Sequence, residues 1–123
     1  MAEGWLRHLA GDGIEALSGG TRPWEVHPLA IEAMAESGVD ILRHTAKHVS
    51  LFASAPLDYV ITLCDGAKEE CPLFTRAARR LHWPVHDPSN DGGTPEERLD
   101  AFRTARNEIR GLIVAWLAEN PFE

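Results

Sequence analysis

The chain has 123 residues, of which 12 are basic and 19 acidic, and its formal net charge is −7. Its length suits one domain, residues 1–123, and a composition of 44% hydrophobic and 25% charged residues argues against disorder and coiled-coil arrays. The acidic balance argues against nucleic acid as a partner, because binding to polyphosphate needs clustered Lys and Arg. The densest basic group is Arg76, Arg79 and Arg80, which we interpret as a solvated face.

The same sequence argues against a membrane location. No apolar run approaches the roughly 20 residues that a membrane helix needs, and residues 1–5 lack the basic and apolar regions of a signal peptide. We therefore expect a cytoplasmic protein with no membrane partner. In a reducing compartment, a pair such as Cys64 and Cys71 is more often catalytic or redox-active than structural.

Two amphipathic helices are predicted early in the chain. Residues 2–10 form the first, which Gly11 ends. The apolar residues that share its face are Trp5, Leu6 and Leu9. Pro28 begins the second at the first helical position, and Gly38 follows its end in a left-handed conformation. The apolar residues of its predicted stripe are Ile31, Met34 and Ala35.

Three strands and a short helix are predicted between and after these helices. Residues 14–18 are a short strand candidate that leads into a flexible turn, and residues 45–52 are predicted as a third helix. Residues 59–64 are continuously apolar or β-branched, which is typical of a strand buried on both faces in a parallel sheet. Residues 81–83 form the last predicted strand, before Pro84.

The final helix has the clearest signals. Residues 94–97, Thr-Pro-Glu-Glu, form a capping box with proline at the first helical position, and the helix is predicted to reach about Glu119. Its stripe is Leu99, Phe102, Arg106, Ile109, Ile113, Trp116 and Leu117. All but Arg106 are apolar, so we expect this stripe to pack on the sheet. Strands that alternate with helices indicate an α/β sandwich with a parallel sheet.

Sites in open α/β sheets lie at the carboxyl ends of the strands. Three segments are predicted to meet there: residues 18–21 (Ser-Gly-Gly-Thr), residues 64–66 (Cys-Asp-Gly) and residues 86–88 (His-Asp-Pro). In the last segment, Asp87 is a candidate general acid that protonates a leaving oxygen. The alternative is a turn aspartate before Pro88.

Cys64 and Cys71 lie seven positions apart. A disulfide needs their two Cα atoms within about 7 Å, so the segment between them would have to fold back, and Gly66 gives it the freedom to do so. The alternative is two unpaired cysteines, one of them a small core residue.

A metal site is not expected. His44 and His48 have a spacing that could ligate zinc from one helix face, but no third ligand is evident, so we interpret them as a solvated or lightly packed pair. The four tryptophans are interpreted as buried or partly buried anchors: Trp5, Trp24, Trp83 and Trp116.

Motifs over almost the whole chain resemble the thioredoxin-coupled arsenate reductases, which share the fold of the low-molecular-weight protein tyrosine phosphatases. The matching segments are residues 1–6, 18–21, 27–40, 59–72, 81–84 and 87–88. The paired cysteines together with the His-Trp-Pro and Asp-Pro elements are fairly specific for the reductase branch. The resemblance implies a three-layer α/β sandwich with a small parallel sheet.

The resemblance also implies a mechanism. In that family, a cysteine in a Cys-x5-Arg phosphate loop attacks arsenate, and a second cysteine, matched by Cys64, attacks the adduct and releases arsenite. A third, matched by Cys71, then forms a disulfide with the second, and thioredoxin reduces it. The aspartate that matches Asp87 protonates the leaving oxygen. The implied catalytic residues are therefore Cys64, Cys71 and Asp87, with thioredoxin as partner and no cofactor.

The printed chain departs from the family in its phosphate loop. It contains no Cys-x5-Arg, because Glu70 lies six positions after Cys64 and Ala77 lies six after Cys71. Gly66 stands where the family usually has asparagine. Since the family's loop and first strand precede the first helix, we expect a domain that lacks both, binds arsenate or phosphate poorly and is inactive towards arsenate.

Three interpretations of that departure stay open. The chain is an arsenate reductase whose start lies upstream, a non-catalytic relative that keeps a reducible Cys64–Cys71 pair, or an interaction protein that uses the open sheet edge. If the start does not lie upstream, either a second protomer fills the gap in the sheet as a homodimer forms, or the remaining strands pair directly.

Overall fold

The computed structural model describes residues 1–18, 27–44, 56–63, 77–86, 88 and 92–119. The chain divides into two compact units. The helical unit comprises Met1–Leu17, Val26–Thr45 and Asp87–Glu123, and the strand unit comprises Ser18–Glu25 and Ala46–His86.

The helical unit begins with α1, Ala2–Ala10, as the apolar pattern predicts. A single 3-10 turn, Gly11–Gly13, follows it. Gly11 ends the helix at a positive φ of 60°, a conformation that costs glycine little because it has no Cβ. Trp5 is the most buried large side chain of α1, and only 3% of its surface is exposed.

The second helix, α2, spans Pro28–Glu36 and confirms the predicted proline start. The imidazole Nδ1 of His27 caps it by accepting a hydrogen bond from the Leu29 N–H at 3.1 Å. Gly38 follows the helix at a φ of +78°, also as predicted. The predicted buried stripe is only partly right. The side chains that the fold buries are Ala30, Ala33 and Met34, whereas Ile31 is half-buried and Ala35 is exposed.

The small alanines explain the difference in α2. Two alanines one turn apart, Ala30 and Ala33, lie on the buried face of α2, whereas the larger Ile31 lies at its edge and is half-buried. The predicted stripe is therefore one residue, or about 100° of helix rotation, away from the buried face.

The last helix, α3, spans Pro95–Glu119 and packs against both α1 and α2. Its capping box forms as predicted, with the Glu97 N–H donating to Thr94 Oγ1 at 3.1 Å and the Thr94 N–H donating to Glu97 Oε1 at 3.4 Å. The buried side chains are Phe102, Ala105, Ile109, Ile113 and Trp116. The apolar stripe of α3 therefore lies in the core of the helical unit, with α1 and α2 as its neighbours.

The core of the helical unit depends on one close approach. A Cβ placed on Gly4 would lie 2.6 Å from Ile41 Cγ2 and 3.3 Å from Met34 Cε. Ile41 and Met34 are both fully buried. Glycine at position 4 therefore lets α1 lie against these side chains.

The strand unit contains a small parallel sheet. Strands β1, Leu57–Thr62, and β2, Ala77–His82, pair in a register that places Leu57 opposite Ala77 and Thr62 opposite His82. The α/β class with a small parallel sheet is confirmed. Both strands begin earlier than predicted, and β1 is half-buried rather than fully buried, with Asp58 exposed.

The predicted strand at residues 14–18 does not form. Ile14 has extended dihedral angles, but the segment pairs with no strand among the described residues. Instead, Arg7 Nη2 donates to the Ala16 carbonyl at 2.6 Å. A side chain thus takes an acceptor that a neighbouring strand would otherwise use. The helix predicted over residues 45–52 lies outside the described residues.

Candidate functional site

The carboxyl ends of β1 and β2 form the best-defined candidate site. Hydrogen bonding between the two segments continues past both strands, because the Trp83 N–H donates to the Thr62 carbonyl at 2.8 Å and the Val85 N–H donates to the Leu63 carbonyl. Cys64 is the residue after Leu63, and Asp87 lies two positions after Val85. The paired strand ends therefore lead directly into two segments where the sequence predicts chemistry.

A side-chain hydrogen bond joins the last residues of the two strands. Thr62 Oγ1 lies 2.6 Å from His82 Nδ1 and 3.4 Å from the Leu81 carbonyl oxygen. We call the Thr62–His82 hydrogen bond the clasp. The hydroxyl has one proton, so it can donate to either acceptor but not fully to both.

The clasp can form in every protonation state of the imidazole. When His82 Nδ1 has a free lone pair, the Thr62 hydroxyl donates to it. When Nδ1 carries a proton, Nδ1–H donates to the hydroxyl oxygen, and the hydroxyl proton turns to the Leu81 carbonyl. The hydrogen bond can therefore join the two strand ends with either side chain as the donor.

Basic side chains lie in the middle of β2. The Arg79 guanidinium lies 5.9 Å from the centre of the Tyr59 ring, on the opposite strand. Arg79 and Arg80 are both exposed, in agreement with the solvated face that their spacing predicts. Arg76 lies outside the described residues.

The three predicted catalytic residues, Cys64, Cys71 and Asp87, lie outside the described residues, as do residues 19–21, 65 and 66. Of the remaining candidates at the strand ends, Ser18 and His86 are exposed and Pro88 is buried. The structure thus describes Leu63, the residue before Cys64, and His86, the residue before Asp87. The roles of the three predicted catalytic residues stay predictions.

His44 has an acidic neighbour in the helical unit. Its Nδ1 lies 3.7 Å from Glu3 Oε2, which also accepts a hydrogen bond from Arg7 Nε at 3.0 Å. His48 lies outside the described residues. No group of three His, Cys, Asp or Glu side chains that could hold a metal ion occurs in the part of the chain that the structure describes. Within that same part, no helix is both long enough and apolar enough to cross a bilayer.

A charged cluster that the sequence did not predict joins α2 to α3. Arg103 binds Glu36 through two hydrogen bonds of 2.8 and 2.6 Å, and Arg106 Nη1 donates to Glu36 Oε1 at 2.9 Å. The hydrogen bonds from Arg103, together with those from Arg106, lower the pKa of Glu36 to about 2 against an opposing desolvation effect. Glu36 and Asp100 in turn raise the pKa of Arg103.

Arg106 also explains the one charged position in the apolar stripe of α3. Its Nη1 donates to the Ala33 carbonyl at 2.8 Å, one of the last four carbonyls of α2, which have no regular partner within the helix. A cation at the end of a helix also interacts favourably with the helix dipole. An arginine flanked by apolar residues at helical spacing was the sequence signal for this contact.

Comparison with known proteins gives the family. Residues 1–120 match the family model described as low molecular weight phosphotyrosine protein phosphatase. The chain belongs to that family. Its curated relatives include the arsenate reductase of Shouchella clausii strain KSM-K16, 40% identical over 115 residues, which cover 92% of this chain and 81% of the relative. The arsenate reductase of Bacillus subtilis strain 168 is 36% identical over 109 residues, covering 89% and 78%.

Solved structures agree with this assignment. An arsenate reductase in its oxidized state superposes with a TM-score of 0.80 at 29% identity, covering 96% of this chain and 86% of that one. An arsenate reductase in a phosphate-binding state gives a TM-score of 0.78 at 28% identity with the same coverage. By its relatives and its structural neighbours, the chain groups with the arsenate reductases of the family and has the family's fold.

Proposed function

We propose that this chain is an arsenate reductase-family protein whose Cys64 and Cys71 form a redox disulfide that thioredoxin reduces. The observation that supports it is the parallel pairing that runs past the strand ends. The bond between Leu63 and Val85 brings together the two segments that lead to Cys64 and to Asp87. The relatives named arsenate reductase support the same chemistry.

Each residue has a role in this proposal. Cys64 is the resolving thiolate: it attacks the sulfur of a cysteine–arsenic(V) adduct, forms a mixed disulfide with that cysteine and releases arsenite, which carries away two electrons. Cys71 then attacks the sulfur of Cys64, and the first cysteine leaves as a thiolate. When the Cys64–Cys71 disulfide forms, the two thiols lose two protons and two electrons. The dithiol of thioredoxin returns both and becomes a disulfide itself. Asp87 is the general acid that protonates the departing oxygen.

The first step of the arsenate reaction needs a group that these 123 residues lack. The only cysteines are at positions 64 and 71, and neither begins a Cys-x5-Arg loop. A polypeptide of these residues alone therefore has no loop in which a nucleophilic thiolate meets a bound oxyanion. We expect it to release no arsenite from arsenate while keeping a reducible Cys64–Cys71 pair.

Mass spectrometry tests the disulfide. Under oxidising conditions the protein should lose the mass of two hydrogens, and reduced thioredoxin should restore it. Cys64→Ser and Cys71→Ser are matched controls, because each leaves one thiol and permits no intramolecular disulfide. Two thiols that stay freely alkylatable after oxidation would contradict the proposal.

An arsenate-reduction assay with thioredoxin tests the missing step. The 123-residue polypeptide is assayed beside a version extended with a family phosphate loop. We expect arsenite only from the extended version, and Cys64→Ser or Cys71→Ser in that background should abolish turnover. Arsenite production by the unextended polypeptide would show that the expected inactivity is wrong.

A further inference from the structure

The clasp lies at the end of β1, shortly before Cys64 and Cys71 in the chain. Thr62 is the last residue of β1, His82 is the last residue of β2, and their side chains meet at 2.6 Å. Only Leu63 separates Thr62 from Cys64 in the chain.

We propose that Thr62 and His82 are positioning residues for the redox step at Cys64. This inference rests on the proposed function, because it concerns the same Cys64–Cys71 pair. Neither side chain takes part in electron transfer or in proton transfer to or from the thiols. Their hydrogen bond fixes the end of β1, two positions before Cys64 in the chain.

The effective concentration of the two thiols determines how readily the disulfide forms. A disulfide forms only when both Cα atoms come within about 7 Å of each other with suitable geometry. If the end of β1 frays, Cys64 samples more positions and meets Cys71 less often. More conformational entropy must then be lost when the disulfide forms. The backbone bonds from Trp83 to Thr62 and from Val85 to Leu63 oppose fraying, and the clasp adds a side-chain bond at the same place.

The clasp is suited to this role because it does not depend on the imidazole's charge. Thr62 Oγ1 can donate to a neutral Nδ1 or accept from a protonated one, with the Leu81 carbonyl as the second acceptor. A lysine–carboxylate pair would lose its attraction once one partner became neutral. The strand ends can therefore stay joined whichever charge the imidazole carries.

The test is a thiol–disulfide equilibrium of the whole chain in glutathione buffers. Two protein thiols and one oxidised glutathione give the Cys64–Cys71 disulfide and two reduced glutathiones, and the equilibrium constant is the effective concentration of the pair. We expect Thr62→Val to lower it by about threefold to tenfold, as the loss of one hydrogen bond predicts. Thr62→Ser, which keeps the hydroxyl, should restore the wild-type value.

Two further variants separate positioning from folding. Thr104→Val makes the same chemical change at an exposed position of α3, where the hydroxyl donates to the Asp100 carbonyl. This variant should leave the thiol–disulfide equilibrium unchanged. His82→Phe removes the ring nitrogens from an exposed side chain and should lower the constant as Thr62→Val does. The double variant should be no worse than either single one, since both remove the same bond.

The outcomes distinguish the two proposals. If the wild-type protein forms no Cys64–Cys71 disulfide in any glutathione buffer, the proposed function and this inference are both overturned. If the disulfide forms equally in wild type, Thr62→Val and His82→Phe, the function stands and the positioning role is wrong. A serine variant that behaves like the valine variant would also overturn the inference, because a purely steric effect would then explain the change.

Discussion

The indole N–H of Trp5 donates a hydrogen bond to the backbone carbonyl of Arg106 at 3.1 Å, between residues 101 positions apart in the chain. The guanidinium of Arg110, one turn further along α3, lies 5.7 Å from the centre of the Trp5 ring. A single side chain in the first helix is thus held by the last helix through both its polar atom and its ring face. The packing of α1 on α3 should depend strongly on this residue.

Trp5→Phe should destabilise the protein by about 1–3 kcal/mol, because it removes the indole donor and part of a buried ring system. The free energy of unfolding from urea denaturation measures the effect. Arg110→Gln is the companion variant, and because an exposed cation–π contact contributes only about 0.5–1 kcal/mol, its effect should be smaller. An Arg110 effect larger than that of Trp5 would contradict this account of the α1–α3 contact.

Gly4→Ala and Gly111→Ala should change stability in opposite directions. At Gly4 the new methyl group would lie 2.6 Å from the Cγ2 atom of Ile41, a side chain that is only 1% exposed and has nowhere to move. Overpacking of this kind costs about 1–3 kcal/mol. At Gly111 nothing lies within 4 Å of the added methyl, so the helix should gain about 0.5–1 kcal/mol from alanine's better propensity. Thermal unfolding of both variants would show whether the signs differ.

Glu36→Gln should reveal a pH-dependent contribution to stability. Because the pKa of Glu36 is lowered from 4.5 to about 2 in the folded protein, its ionised form is favoured by folding. The contribution is therefore complete above pH 4.5 and is lost as the pH falls towards 2. The difference in urea midpoint between wild type and variant should shrink over that range. Glu108→Gln, on an exposed position of α3, controls for the loss of one negative charge.

Thr94→Ala should destabilise α3 by about 0.5–2 kcal/mol, because it leaves the Glu97 N–H without its capping hydroxyl. Thr104→Ala removes a threonine hydroxyl within the same helix, where it bonds only the Asp100 carbonyl, and should cost less. Urea denaturation followed by circular dichroism would measure both. Equal losses for the two variants would show that the capping position has no special importance.

The helices were predictable because their signals are local. The proline of α2, the capping box of α3 and the glycine after each of the first two helices determine where those helices begin and end, and the structure agrees with all of them. Strand ends were less well predicted, since β2 begins with Ala-Ala-Arg-Arg, which has no apolar pattern. Pairing with β1, which no local pattern encodes, makes that segment a strand.

The contacts that the sequence could not supply join residues that do not belong to the same helix or strand. Arg7 donates to the Ala16 carbonyl in a segment that the sequence predicted as a strand, and Arg106 donates to the Ala33 carbonyl from a charged position in an apolar stripe. Both depend on which elements become neighbours in three dimensions. The clasp belongs to the same group, because Thr62 and His82 are twenty positions apart and meet only through the register of the sheet.

That register has a consequence for the order of folding. Each paired residue of β1 lies opposite the residue 20 positions later in β2, as in Leu57 with Ala77 and Thr62 with His82. Every pair of the sheet therefore closes a loop of the same length. Closing a loop of this size costs entropy before its contacts contribute. Both cysteines lie within it. If β1 and β2 pair first, the entropy cost of closing this loop has already been met when Cys64 and Cys71 come together. Oxidation to the disulfide should therefore be fastest in the folded chain.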